Sequence, residues 1–324
     1  MQSSQAQDVT EARASGPADR FRGCLLGLAT GDAVGTTLEF RPRGTFAPIT
    51  DMNGGGPFEL SAGQWTDDTS MALCLATSLT ARCKFDPADQ MARYVRWLTE
   101  GYLSSTGSCF DIGGTTRGSL AKYMIDGTVF AGPTGPRTAG NGSLMRLAPV
   151  PMFYHPERQA AVHYAGESSR TTHGAKECVD ACRMYADMLV SALSGKTKEE
   201  MLSTAVTPVS SKLQSISNGS YKNKPASDIK GTGYVVECLE AALWCFWSTS
   251  SFREAILEAA NLGDDADTTA AVCGQIAGAY YGESNIPSAW LKKLAMRDDI
   301  AKLADDLRTK TPEDAQLEGQ CANE

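Results

Sequence analysis

Gly263-Asp264-Asp265-Ala266-Asp267-Thr268-Thr269 runs without a break into AAVCGQIAGAYYG, ending at Gly282. The apolar part is too long for an ordinary strand and reads as a buried helix. Gly274 and Gly278 fall four apart, on one helix face, where they let a neighbouring backbone come close. The acidic residues stand at the helix start. Successive helix positions differ by about 100°, so Asp265 and Asp267 converge only if the turn before the helix is irregular. Gly263 permits such a turn.

The rest of the chain follows the same helical grammar. Residues 21–35, FRGCLLGLATGDAVG, carry Gly27, Gly31 and Gly35 on one face and imply another tightly packed helix. Further helices are expected to begin near Asp19, Asp68, Pro87, Thr115, Glu157, Gly174, Gly231, Ser251, Asp267 and Asp298. Asp86 before Pro87 is an N-cap followed by proline, and Ser251 with Glu254 has the spacing of a capping box. Alternating β-branched runs are nearly absent, so the fold class is all-α. Three stretches interrupt the pattern: 41–64, 127–141 and 207–230, the last reading as a polar surface loop. No composition shift or repeat divides the chain. The expectation is a disordered tail over 1–18, one domain over 19–310, and a flexible tail over 311–324.

Composition narrows the classes of function. The 324 residues are 42% hydrophobic and 21% charged, with a net charge of −8. An acidic chain without a basic patch is not built to hold a nucleic-acid backbone. No apolar run approaches the roughly 18 residues of a membrane span, and the polar N-terminus lacks a secretory signal. The ten cysteines sit mainly in apolar helical stretches. They read as small buried residues of a reducing cytoplasm rather than as metal ligands. A cytoplasmic monomer is expected.

Gln64-Trp65-Thr66-Asp67-Asp68-Thr69-Ser70 is a second acidic helix start, leading into MALCLATSL. Alone, either cluster is an ordinary acidic first turn favoured by the helix dipole. Together they deliver carboxylates to buried helices, which is costly unless the charges are paired, protonated or bound to a cation. His155, His163 and His173 are the only histidines, and none is near either cluster in sequence. An all-oxygen site favours hard ions, Mg²⁺ or Mn²⁺, and the ligand count suits two of them. Between the clusters, Cys109-Phe110-Asp111-Ile112-Gly113-Gly114 places a carboxylate before a Gly-Gly turn. Gly140-Asn141-Gly142-Ser143-Leu144-Met145-Arg146 is a Gly-rich turn of the kind that offers N–H groups to anions. Glu39 is a lone carboxylate just after the first glycine-faced helix; its ordinary reading is a solvated helix-end residue.

The ordered set FRGCLLGLATGDAVG, WTDDT, CFDIG, GNGSLMR, TTH, GYVVECLEAALWCF and GDDADTTAA resembles the ADP-ribosylglycohydrolase family. That family includes the dinitrogenase reductase-activating glycohydrolase and the ADP-ribosylarginine and ADP-ribosylserine hydrolases. The resemblance implies a compact multi-helix bundle with a central two-metal cleft. It implies a metal-dependent hydrolase that removes ADP-ribose from modified protein side chains, arginine-linked in preference. Thr66, Asp67, Asp68, Asp265, Asp267 and Thr268 match metal ligands. Glu39 and Asp111 match the carboxylates near the chemistry; which of them is general acid or base stays open. Gly113, Asn141, Gly142, Ser143, Met145 and His173 fall where the family contacts ADP-ribose. The sequence departs at Asp264, Ala266, Gly114 and Gly174, where the family more often has Gly, Thr, Asn and Pro. Three other readings remain: a serine-linkage hydrolase, an inactive ADP-ribose-binding relative, and an immunity protein that also blocks an ADP-ribosyltransferase toxin with its N-terminal arm.

Overall fold

Helices α1 (Pro17–Gly35) and α12 (Ala266–Tyr281) form the centre of the molecule. They lie antiparallel with their backbones in near contact. A methyl group on Gly27 would stand 2.3 Å from the carbonyl oxygen of Gly274, and one on Gly31 would stand 2.1 Å from that of Ala270. Only residues without a Cβ allow this approach, so the glycine rows of the two sequence stretches are one interface. Its geometry brings the C-terminal end of α1 against the N-terminal end of α12. Every residue of α12 is buried.

The computed structural model describes residues 14, 16–208, 210–310 and 312. Between α1 and α12 come α2 (Asp67–Arg82), α3 (Pro87–Glu100), α4 (Gly114–Asp126), α5 (Pro149–Tyr154) and α6 (Arg158–Arg170). They are followed by α7 (Lys176–Leu193), α8 (Lys198–Met201), α9 (Ser211–Ser217), α10 (Val235–Ser248) and α11 (Phe252–Ala260). Helices α13 (Ser288–Lys293) and α14 (Arg297–Thr309) close the chain. Among the described residues there is no strand, only isolated bridges at Gly55–Leu60 and Gly140–Tyr234. The all-α expectation holds. Helices α2, α7, α10, α11 and α14 pack around the central pair. No described helix is long and apolar enough to cross a membrane.

The expected caps are present. Asp86 accepts from the N–H groups of Ala88 and Asp89, and Ser251 accepts from that of Glu254. The stretch 207–230 is corrected: it holds α9 and two short 3₁₀ turns, with Leu213, Ile216 and Tyr221 buried. Leu213 and Ile216 are three apart and bury one side of a short helix whose other residues are polar, so average polarity hid it. Pro17 and Ala18, assigned to the tail, are already in the first turn of α1. Residues 1–13 and 313–324, and with them most of the proposed toxin-binding arm, lie outside the described residues. The nine described cysteines are free thiols, seven of them buried.

Candidate metal centre and cleft

Both acidic clusters sit at the starts of buried helices, yet neither N-cap residue caps its own helix. Thr66, the N-cap of α2, makes no side-chain cap bond. Asp32 of α1 does this work instead. Its Oδ1 accepts from the Thr66 N–H at 2.9 Å, and its Oδ2 accepts from the Thr69 N–H at 3.0 Å. These are the two donors that a capping box satisfies within one helix. Asp265, the N-cap of α12, makes no cap bond either. Glu39, delivered by the end of α1, accepts from the N–H groups of Ala266 at 2.9 Å and Asp267 at 3.4 Å through Oε2. Carboxylates from α1 and the turn that follows it thus satisfy both helix ends. The acidic residues of the ends themselves are left free to face one another.

The irregular turn expected before α12 is present. Gly263 and Asp264 both have left-handed backbones, at φ 72° and 57°. Asp264 donates its N–H to the Arg41 carbonyl at 2.8 Å and accepts from the Phe40 N–H at 2.7 Å, which ties the turn to the segment after Glu39. Asp265 therefore precedes the helix while Asp267 lies within it, and the two carboxylates converge. Ligand-type oxygens of Glu39, Asp265 and Asp267 lie within 4.8 Å of one another, and so do those of Asp32, Asp68 and Asp267. Asp267 belongs to both groups. Thr66 Oγ1 is 3.3 Å from Oδ2 of both Asp68 and Asp267, and Thr268 Oγ1 is 3.3 Å from Asp68 Oδ2. Two helix starts 200 residues apart in sequence meet here.

No lysine or arginine pairs with this cluster among the described residues, and Asp68 Oδ1 is buried without a partner. Unpaired carboxylates at such density demand protons or cations. Burial, followed by the charge of Asp267, pushes Asp265 up to about 7 and Asp111 up to about 11. The same two causes raise Glu39 and Asp67 well above the carboxylate range; for Asp68, burial is followed by the charge of Asp32. Asp32 rises to about 7 although Thr66 and Thr69 oppose the shift. An all-oxygen donor set with one orphaned oxygen fits hard divalent cations.

Above the cluster opens a cleft of about 500 Å³. Glu39, Asp67, Asp111, Asp265, Asp267 and Thr268 line its acidic end, and Gly113, Asn141, Gly142, Met145 and His173 line the remainder. Thr66 and Asp68 lie directly beneath. Asn141 Nδ2 donates to Asp265 Oδ2 at 2.9 Å, joining the Gly-rich turn to the acidic end. His173, distant from both clusters in sequence, is brought against Gly142. Burial, then the charge of Arg146, pushes it down to about 3, so its ring is neutral. Thr172 Oγ1 accepts from Arg146 at 2.7 Å and lies 2.8 Å from His173 Nδ1. Donation of the Thr172 proton to Nδ1 leaves Nε2 carrying the ring hydrogen on the cleft side.

Ser143 departs from expectation. Its hydroxyl is hydrogen-bonded to Ser169 Oγ at 2.8 Å inside the core, because the turn points that side chain inward. Glu39 is buried, not the solvated helix-end residue its local sequence suggests. Asp264 is exposed and lies outside both carboxylate groups. Asp32 was not singled out by the sequence; its only signal there is a charge inside a glycine-rich apolar helix.

A family model described as ADP-ribosylglycohydrolase matches residues 13–316. The chain belongs to the ADP-ribosylglycohydrolase family. It is 48% identical over 300 residues to the ADP-ribosylarginine hydrolase Tri1 of Pseudomonas putida (strain GB-1), covering 93% of this chain and 81% of that protein. Against the Serratia proteamaculans (strain 568) protein of the same name, identity is 46% over 296 residues, covering 91% and 81%. The ADP-ribosyl-[dinitrogen reductase] glycohydrolase of Rhodospirillum rubrum is 33% identical over 283 residues, covering 86% of this chain and 91% of its own length. A solved structure titled ADP-ribosylglycohydrolase-related protein complex superposes with a TM-score of 0.80 at 42% identity, covering 91% and 99% of the two chains. For this family member, the acidic end of the cleft is the place to look for a metal-assisted glycosidase centre.

Proposed function

We propose that this protein hydrolyses the N-glycosidic bond between ADP-ribose and an arginine side chain, with two divalent cations, Mg²⁺ or Mn²⁺, as cofactors. The convergence of Asp67 and Asp68 with Asp265 and Asp267 at one end of a cleft carries this reading. Thr66, Asp67, Asp68, Asp265, Asp267 and Thr268 would hold the ions. When bound, the ions supply Lewis-acid polarisation of ribose oxygens and an activated water.

The side chains divide the remaining tasks. The N-terminus of α4, entered through Gly113, and Gly142 offer N–H groups suited to the pyrophosphate, whereas the Asn141 N–H is held by the Gly233 carbonyl. Neutral His173 offers one donor to a ribose or phosphate oxygen. Glu39 and Asp111 stand over the acidic end as the two candidate proton carriers at the anomeric carbon. Beside them, Phe40 is 64% exposed and adjoins the free carboxylate of Asp264. An aromatic face with an anionic neighbour suits a guanidinium leaving group, and the names of the two bacterial relatives point to the same linkage. The free thiols and the absence of a described membrane-spanning helix support a cytoplasmic setting.

Arginine- and serine-linked ADP-ribosyl peptides, assayed with Mg²⁺, Mn²⁺ or EDTA, test the reading. Release of ADP-ribose from the arginine peptide, abolished by EDTA, is expected. Release from the serine peptide alone would move the linkage. ADP-ribose binding without any release would favour an inactive relative.

A further inference from the structure

Asp32 is enclosed by the metal centre but differs from every other carboxylate in it. It accepts four hydrogen bonds. Oδ1 takes the Thr66 N–H and the Thr66 hydroxyl, both at 2.9 Å. Oδ2 takes the Thr69 N–H at 3.0 Å and the Thr69 hydroxyl at 2.6 Å. A carboxylate has about four lone-pair directions, so none is left for an ion. Asp68 Oδ1 nearby has no partner at all. The two residues lie in one carboxylate cluster and serve opposite purposes.

We infer that Asp32 is not a metal ligand but the positioning residue that polarises Thr66 for metal binding; this rests on the metal-dependent reading above. The Thr66 hydroxyl has one proton and two lone pairs. Donation to Asp32 Oδ1 commits the proton and turns the lone pairs toward Asp68 and Asp267, each 3.3 Å away. Three oxygens then face one another with no hydrogen between them, an arrangement a divalent cation stabilises. Because Asp32 also holds the N–H groups of Thr66 and Thr69, the first turn of α2 is clamped in the orientation that presents Asp67 and Asp68. The Thr69 hydroxyl makes its hydrogen bond to Asp32 and none to a proposed ligand's side chain, so it serves as an anchor for Asp32.

Asparagine cannot replace Asp32. Each carboxylate oxygen accepts a backbone N–H that cannot reverse, so either orientation of the amide sets its NH₂ against a donor. Amide nitrogen facing Thr66 would also turn the Thr66 proton into the metal centre.

Two variants, D32N and T69V, are titrated metal-free with Mn²⁺ by electron paramagnetic resonance, and each is melted in EDTA. D32N is expected to weaken Mn²⁺ binding about 10- to 100-fold, the range for outer-shell partners of metal ligands. T69V, which loosens only the anchor, is expected to weaken it by a few-fold while its far-ultraviolet circular dichroism stays native. A T69V protein that binds Mn²⁺ more tightly than the wild type would mark Asp32 as a direct ligand released from a competing bond. Lower melting temperatures with unchanged Mn²⁺ affinity would reduce Asp32 to a structural residue. Should D32N fail to fold, the sign of the T69V effect still decides. If the wild type binds no Mn²⁺, the metal-dependent reading fails before this inference is reached.

Discussion

The starts of α2 and α12 use the same device and leave it in different states. Each helix end is satisfied by a carboxylate from the α1 segment, Asp32 for α2 and Glu39 for α12. Asp32 is fully buried, with both oxygens doubly engaged. Glu39 uses Oε2 alone for its two N–H groups and lines the cleft. One carboxylate is locked as scaffold; the other keeps an oxygen available to chemistry. Similar capping roles therefore do not imply similar functional roles. What separates them is the number of lone pairs already spent.

The largest effect should come from removing what the two ends present. Asp67→Ala or Asp265→Ala is expected to lower hydrolysis by about 1,000-fold or more, with the helical circular dichroism retained. Activity that persisted in either variant would break the symmetry between the ends. Glu39→Gln sharpens the contrast. It keeps an acceptor for the α12 N–H groups but removes a proton carrier, so kcat should fall about 100- to 10,000-fold while calorimetric ADP-ribose affinity changes little. Unchanged turnover would assign Glu39 to scaffold, like Asp32.

A third variant separates the ends mechanically. A methyl group on Gly35 would stand 2.4 Å from the Ala266 carbonyl oxygen, at the crossing that delivers Glu39. Gly35→Ala should cost about 1–3 kcal/mol of stability, as overpacking of a tight contact does. Denaturant unfolding measures the cost. Activity and metal affinity should fall together, since the same methyl would stand 2.5 Å from the Cα of Asp267, a proposed ligand.

The smallest effect is on pH dependence. Without an ion, burial and then the charge of Asp267 push Asp32 and Asp265 up to about 7 from an ordinary 3.8. Groups raised on folding bind more protons folded than unfolded, so their stabilising contribution is full below the ordinary value and is lost as pH rises through about 7. These two groups should therefore make the melting temperature in EDTA decline between about pH 4 and pH 7. Saturating Mn²⁺ should oppose that decline, because the ion binds the deprotonated carboxylates. A flat profile in EDTA would mean the cluster is satisfied in some other way.

Much of this was legible in the sequence, for identifiable reasons. Helix class followed from periodicity, and the glycine rows at Gly27, Gly31, Gly274 and Gly278 showed that each of the two helices packs closely on a neighbour. The irregular turn at Gly263 was readable because converging Asp265 and Asp267 required it. The pairing of particular elements was not readable. Nothing local to Asp32 shows that its carboxylate crosses to the start of another helix, and nothing local to Glu39 shows that it is buried. Ser143 looked like its neighbours in the turn, but the direction of its side chain depends on Ser169, whose partner is set by the packing of α6. Leu213 and Ile216 were concealed by the polar residues around them.

The central claim is that two distant helix starts form one divalent-cation centre. Anomalous diffraction from Mn²⁺-loaded crystals tests it most directly. Two peaks are predicted among the oxygens of Thr66, Asp67, Asp68, Asp265, Asp267 and Thr268. A map with no peak there, in crystals whose protein still releases ADP-ribose, would contradict it.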